Sequence, residues 1–218
     1  MKTALVFGSS GLVGGHLLSQ LIENDDYNKI KIFVRSEPEI NDPKVEIIKT
    51  DFNNLENHKE DIKGDDCFFC IGATKQNSPD KNEYRRVELD VPKQIAQISK
   101  SNSVNSFLFV SSGYADPKSS GDYLKFKGEV EEELKRLNFS KLGIMRPSFL
   151  LGDRKEKRVG EKIGIFVFKL LSPLFLGPLK KMKPIHSATV AKAMIRTANE
   201  DLEKIIFESN EIAELVLN

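Results

Sequence analysis

Apolar and polar positions along this chain follow two rhythms that take turns. Short apolar and β-branched runs (TALVFG, KIKIFVR, VEIIKTD, residues 65–71, SFLFVSS and KLGIMRP) read as six buried strands. Between them the period lengthens to that of a helix: from Leu12 to Ile22, over NEYRRVELDVPKQIAQISK, and over DYLKFKGEVEEELKRL at 122–137. Strands alternating with helices predict right-handed crossovers and an α/β fold, a Rossmann-type doubly wound parallel sheet. No repeat or low-complexity linker breaks the pattern, so residues 1–218 are expected to form one domain.

After residue 150 the rhythm changes. LGDRKEKRVGEKIG is charged and punctuated by glycine, while IFVFKLLSPLFLGPL is densely apolar with two prolines. A helix signal, SATVAKAMIRTANE, and a strand-like KIIFE follow. Residues 150–218 are therefore expected to add a small C-terminal substrate lobe at the carboxyl ends of the strands, where open α/β sheets bind ligands. The apolar segment would line that cleft, with a homodimer interface as the alternative. Its prolines interrupt any long apolar helix face, so stable membrane association is not expected.

Composition narrows the class. Hydrophobic residues at 39% and charged residues at 30% suit a soluble domain that buries a sizeable core. A net charge of +1 gives no global field that would draw nucleic acid or an acidic membrane surface. The start, MKTALVFGSSG, does not read as a signal peptide, and the expected address is the cytoplasm. Cys67 and Cys70 fall inside an apolar strand at positions that face opposite sides, which favours two reduced core thiols. Histidines and carboxylates form no cluster that would hold a metal, and His16 is expected to pack against its neighbours.

Candidate chemistry begins where the first strand meets the first helix. Gly8, Ser9, Ser10, Gly11, Leu12, Val13 and Gly14 form GSSGLVG, with glycines three apart. In a strand–loop–helix context such a loop lets the backbone approach a dinucleotide pyrophosphate at the helix N-terminus. The acidic residue that would bond an NAD ribose is missing from the end of the second strand, where Arg35 and Ser36 stand instead. An arginine fork suits a 2′-phosphate, so NADP(H) is favoured over NAD(H).

The helix at 122–137 contains an oddity. Its inward stripe runs Tyr123, Lys127, Val130, Leu134 and Leu137, placing an ammonium among core positions and following it with Gly128. Residues four apart are neighbours on a helix, so Lys127 lies beside Tyr123, where its positive charge favours a phenolate. YxxxK, the glycine loop, the strand end FVSSG and MRPSFLLG occur in the order found in the short-chain dehydrogenase/reductase superfamily, which this chain resembles in its extended and atypical branches. YLKFKGEVE, FFCIGATK and RPSFLLGDRKEKRVGE are similar to the Tat-interacting-protein group of atypical members.

That resemblance implies a catalytic set of Tyr123 as general acid/base, Lys127 holding the nicotinamide ribose, and Ser112 bonding the reacting oxygen. It further implies Asp51 and Phe52 near the adenine, Gly72, Ala73 and Thr74 under the cofactor ribose, and Pro147 and Ser148 at the carboxamide end. Many members carry an asparagine on the helix after the fourth strand; the corresponding RRVELDVPK offers Glu88 and Asp90. The expected function is an NADP-dependent oxidoreductase acting on a small or apolar carbonyl or alcohol. The alternatives are an NADPH-binding sensor with little turnover and a nucleotide-sugar epimerase or dehydratase.

Overall fold

In the computed structural model, which describes residues 1–73, 80–152 and 181–217, all six expected strands form. They are β1 (Lys2–Phe7), β2 (Tyr27–Val34), β3 (Val45–Lys49), β4 (Asp66–Phe69), β5 (Ser106–Val110) and β6 (Lys141–Arg146). Short β7 (Leu150–Leu151) and β8 (Ile185–His186) pair apart from the main sheet, and β9 (Ile206–Glu208) closes it. The main sheet has the order β3-β2-β1-β4-β5-β6-β9, and every pairing in it is parallel. The strand order reverses between β1 and β4, which opens a crevice at the carboxyl edge there.

Both faces of the sheet are covered, which is why its strands read as continuous apolar runs rather than alternating ones. Ala4 and Val6 point into one core layer with α1 (Leu12–Ile22) and the helix Ser187–Asn199. Leu5 and Phe7 point into the other, beside the helices Val91–Ser101 and Asp122–Leu137. In chain order the helices are α1, α2 (Lys81–Arg85), α3 (Val91–Ser101), α4 (Asp122–Leu137), α5 (Ser187–Asn199) and α6 (Ser209–Leu217). A π turn at Arg86–Asp90 joins α2 to α3.

Register sets the site. Phe33, Phe7, Phe69 and Phe109 stand in one row across β2, β1, β4 and β5, with Ile144 of β6 continuing it. The Phe7 and Phe33 rings stack at 4.3 Å, and Phe69 lies 6.1 Å from Phe7 and 5.9 Å from Phe109. Beyond this row the chain leaves the sheet at one edge, so Gly8, Arg35, Cys70, Ser111 and Pro147 all begin loops on the same side.

Helix α5 packs on the sheet face and β9 is an edge strand, so both join the Rossmann layers. The apolar segment at 165–179 lies outside the described residues, as does Thr74. His16 is exposed rather than packed against its neighbours, because it projects from the outer side of α1.

Candidate dinucleotide site

The glycine loop divides its work among three positions. Gly8 sits at φ +89°, and a Cβ there would come within 2.8 Å of the Cys70 carbonyl carbon and the Ile71 nitrogen. A Cβ on Gly14 would lie 2.0 Å from the Gly8 carbonyl oxygen, so the first turn of α1 presses directly on the end of β1. Gly11, the N-cap residue, is exposed at φ −80° and accepts only a tight contact of 3.2 Å with that same oxygen. It supplies no side-chain cap, and the first turn carries no acidic residue. The N–H groups of Leu12, Val13 and Gly14 therefore start a helix whose N-terminal donors and positive dipole end are available to an anion, which fits a dinucleotide pyrophosphate.

Around the loop, Arg35 and Ser36 are exposed at the end of β2, and Arg35 makes no salt bridge among the described residues. Asp51 accepts from the backbone N–H of Asn53 at 2.9 Å and from its side-chain amide at 2.9 Å, which together hold its carboxyl below the usual range. Phe52 adopts φ +62°, its N–H bonded to the Thr50 hydroxyl and its carbonyl accepting from Arg86. Gly72 is exposed and Ala73 half-buried in the loop after β4.

Helix α4 explains its own oddity. Lys127 is buried, and its Nζ stands 3.1 Å from Glu88 Oε2, donates to the Val110 carbonyl at 3.3 Å and lies 4.9 Å from the Phe109 ring centroid. The Tyr123 ring centroid is 5.9 Å from the same nitrogen. Burial by itself would push the ammonium towards deprotonation, but the Glu88 carboxylate and the Tyr123 phenol more than offset it and hold its pKa above the usual lysine value. Gly128 is required because the loop from β5 crosses the helix there. A Cβ would fall 2.3 Å from the Pro117 nitrogen, which outweighs the roughly 1 kcal/mol of helix propensity that glycine forgoes.

Glu88 is the residue that periodicity missed. It reaches the interior from the π turn, where the helical spacing is broken, and such turns recur at functional sites. Its second oxygen accepts from the Ala73 N–H, so one carboxylate ties the loop after β4 to Lys127. Burial and this carboxylate also push the Tyr84 phenol up, whereas the Cys70 thiol is raised to about 12 by burial. Both cysteines are free and face opposite core layers.

A second network also went unread. Glu131 follows Lys127 and Tyr123 on the same helix face, is buried, and accepts from Ser111 Oγ at 2.5 Å and from Arg146 Nε at 2.9 Å. Ser111 is thus committed, whereas Ser112 is half-buried with its hydroxyl on the Gly113 carbonyl at 3.3 Å. The Gly113 N–H donates to the Pro147 carbonyl at 2.9 Å, which brings the loops after β5 and β6 together. Ser148 donates its hydroxyl to the Met182 and Lys183 carbonyls and receives a hydrogen bond from Ser209. Its spacing near the strand end gave no sign of this, because the partners lie 34 or more residues away.

Comparison with known proteins agrees with the geometry. The family model described as NAD(P)H-binding matches residues 8–201. The chain is 31% identical to the FMP52 protein of Candida glabrata over all of this chain and 97% of that protein. It is 32% identical to HTATIP2 of Rattus norvegicus over 73% of this chain and 67% of that one. Among solved structures, the Bordetella bronchiseptica enzyme WbmH in complex with NAD+ superposes with a TM-score of 0.72 at 16% identity, covering 95% of this chain and 75% of that one. A UDP-N-acetylglucosamine 4-epimerase from Methanobrevibacter ruminantium gives 0.69 at 20%, over 94% of this chain and 75% of that one. At such identities these two structures establish the fold.

One expectation is overturned. The FMP52 relatives are named as mitochondrial proteins, against the cytoplasmic address expected here. The opening residues on which that expectation rested build β1 and the glycine loop, so their pattern reports the fold. Among the described residues, no helix is long and apolar enough to cross a membrane. The family model and the full-length similarity to FMP52, joined to a Rossmann sheet with its glycine loop at the crevice, establish that the chain belongs to the NAD(P)H-binding family and is a homologue of HTATIP2 and FMP52.

Proposed function

We propose that this protein is an NADP-dependent oxidoreductase of the short-chain dehydrogenase/reductase type, acting on a small or apolar carbonyl or alcohol. The observation that carries this reading is the buried ammonium of Lys127, 5.9 Å from the ring of Tyr123, beside the glycine loop's end of the crevice. A bound nicotinamide dinucleotide supplies or accepts the hydride. Tyr123 gives a proton to the reacting oxygen or takes one from it, and Ser112 donates a hydrogen bond to that oxygen. Lys127 holds the ribose hydroxyls, Arg35 meets the 2′-phosphate, and the first turn of α1 meets the pyrophosphate.

An apolar substrate is supported by exposed aromatic side chains at this edge. Tyr114 on the loop after β5 is 50% exposed and Tyr123 is 37%. The test is NADPH oxidation followed by absorbance across a panel of aliphatic and aromatic aldehydes and ketones. Turnover favouring apolar members is expected. Tight NADPH binding with no turnover on any member would replace this reading with that of a cofactor sensor.

A further inference from the structure

Two opposite charges are buried side by side. Lys127 Nζ and Glu88 Oε2 stand 3.1 Å apart, with side chains 4% and 0% exposed. They are fixed from several elements: the Ala73 N–H donates to Glu88 Oε1, the Val110 carbonyl accepts from Lys127, and the Phe109 ring lies under the ammonium. Three other titratable groups face the pair. The Cys70 thiol and the Tyr123 phenol face Lys127, and the Tyr84 phenol faces Glu88, with Asp122 beyond it. Burial keeps the Cys70 and Tyr84 protons on near neutral pH, so the buried charges balance as one plus and one minus.

The balance matters because the two forms of a nicotinamide differ by one charge. The oxidised ring is cationic and the dihydro ring is neutral, so an unbalanced ammonium would repel only the oxidised form. We propose that Glu88 determines the redox preference of this site, its carboxylate cancelling the Lys127 charge so that the oxidised dinucleotide is admitted alongside the reduced one. This rests on the reading of the crevice as an NADP(H) site. The effect is electrostatic, and water is largely excluded from the pair, so one uncancelled charge should alter relative affinity by about tenfold.

Two variants test it in opposite directions. Glu88→Gln keeps the acceptor for the Ala73 N–H and removes the charge. Fluorescence titrations with NADP+ and NADPH at about pH 6, chosen to favour the protonated ammonium once the carboxylate is gone, should show NADP+ weakened about tenfold relative to NADPH. Lys127→Met should move the ratio the other way, even as lost ribose contacts weaken both forms. Circular dichroism establishes which variants are folded, and either one suffices. A folded variant in which both forms change by the same factor would overturn the proposal, since a merely structural role weakens both alike. A parent protein that binds neither form would instead overturn the cofactor reading itself.

Discussion

Gly14 meets Gly8 so closely that a Cβ on the first would lie 2.0 Å from the carbonyl oxygen of the second. The start of α1 is thereby locked onto the end of β1, and Gly8 in turn lies against Cys70 and Ile71 at the end of β4. Gly11 lies outside this lock. Exposed and at an ordinary φ, it is the glycine whose missing side chain serves whatever approaches the helix end.

Substitution should separate these roles. Gly14→Ala is expected to lower unfolding free energy by about 1–3 kcal/mol or more, because a backbone oxygen cannot rotate aside. Gly11→Val should keep a parent-like urea midpoint yet lose NADPH binding, since its branched side chain would occupy the pyrophosphate approach. Urea unfolding and fluorescence titration on both variants make the comparison. Parent-like NADPH affinity in Gly11→Val would mean that all three glycines serve only the turn.

In the proposed NADP(H) reading, cofactor choice turns on Arg35, which makes no salt bridge among the described residues while the nearby Glu83 carboxylate pairs with Arg86 Nε at 2.7 Å. Arg35→Asp removes the phosphate partner and adds an acceptor for a ribose hydroxyl. NADPH affinity should fall by about tenfold or more, with NADH gaining relative to it, as expected for a lost charge-assisted pair. Unaltered NADPH binding would move the phosphate contact to another residue.

What the sequence made legible follows from locality. Every strand of the central row and α1 and α4 to their end residues could be read, because apolar period and glycine placement are local signals. The Tyr123–Lys127 pair was legible for the same reason, being one helical turn apart. Glu88 was visible as a residue but not as the partner of Lys127, since the π turn breaks the period that would have aimed it inward. The hydrogen bonds of Ser148 were not legible, because its partners are Met182, Lys183 and Ser209, contacts that no local pattern encodes. Glu131 could have been found: it continues the four-residue spacing of Tyr123 and Lys127 on a buried face.

The Ser111–Glu131–Arg146 network should matter to stability, whereas Ser112 should not. Arg146 binds Glu131 through two nitrogens and reaches Glu208 only at 3.4 Å, so Glu131→Ala strands a largely buried guanidinium. The expected loss is about 3–5 kcal/mol of unfolding free energy. Ser111→Ala should lose about 1.5–3 kcal/mol, the range for a bond to a charged group. Ser112→Ala should stay within about 0.5 kcal/mol of the parent, as for surface changes, while reducing turnover. Urea midpoints together with NADPH oxidation rates separate the two serines. A stability loss in Ser112→Ala matching that of Ser111→Ala would assign both to the fold.

Tyr123→Phe distinguishes an enzyme from a sensor more cleanly than any change at Lys127. Removing Lys127 would leave Glu88 buried with no counter-charge, so any lost activity would be mixed with lost stability. Tyr123 is exposed at its ring, and no hydrogen bond from its hydroxyl supports the fold among the described residues, so its loss should leave the unfolding midpoint unchanged. NADPH should still bind, because the glycine loop, Arg35 and Lys127 remain. If proton transfer through Tyr123 is the purpose of the site, carbonyl turnover should fall on the order of a hundredfold or more, with the loss in kcat rather than KM. A sensor predicts silence in the same assays, since only the ribose-holding Lys127 and the loop would then matter. Parent-level turnover in a folded, NADPH-binding Tyr123→Phe protein would remove Tyr123 from the chemistry.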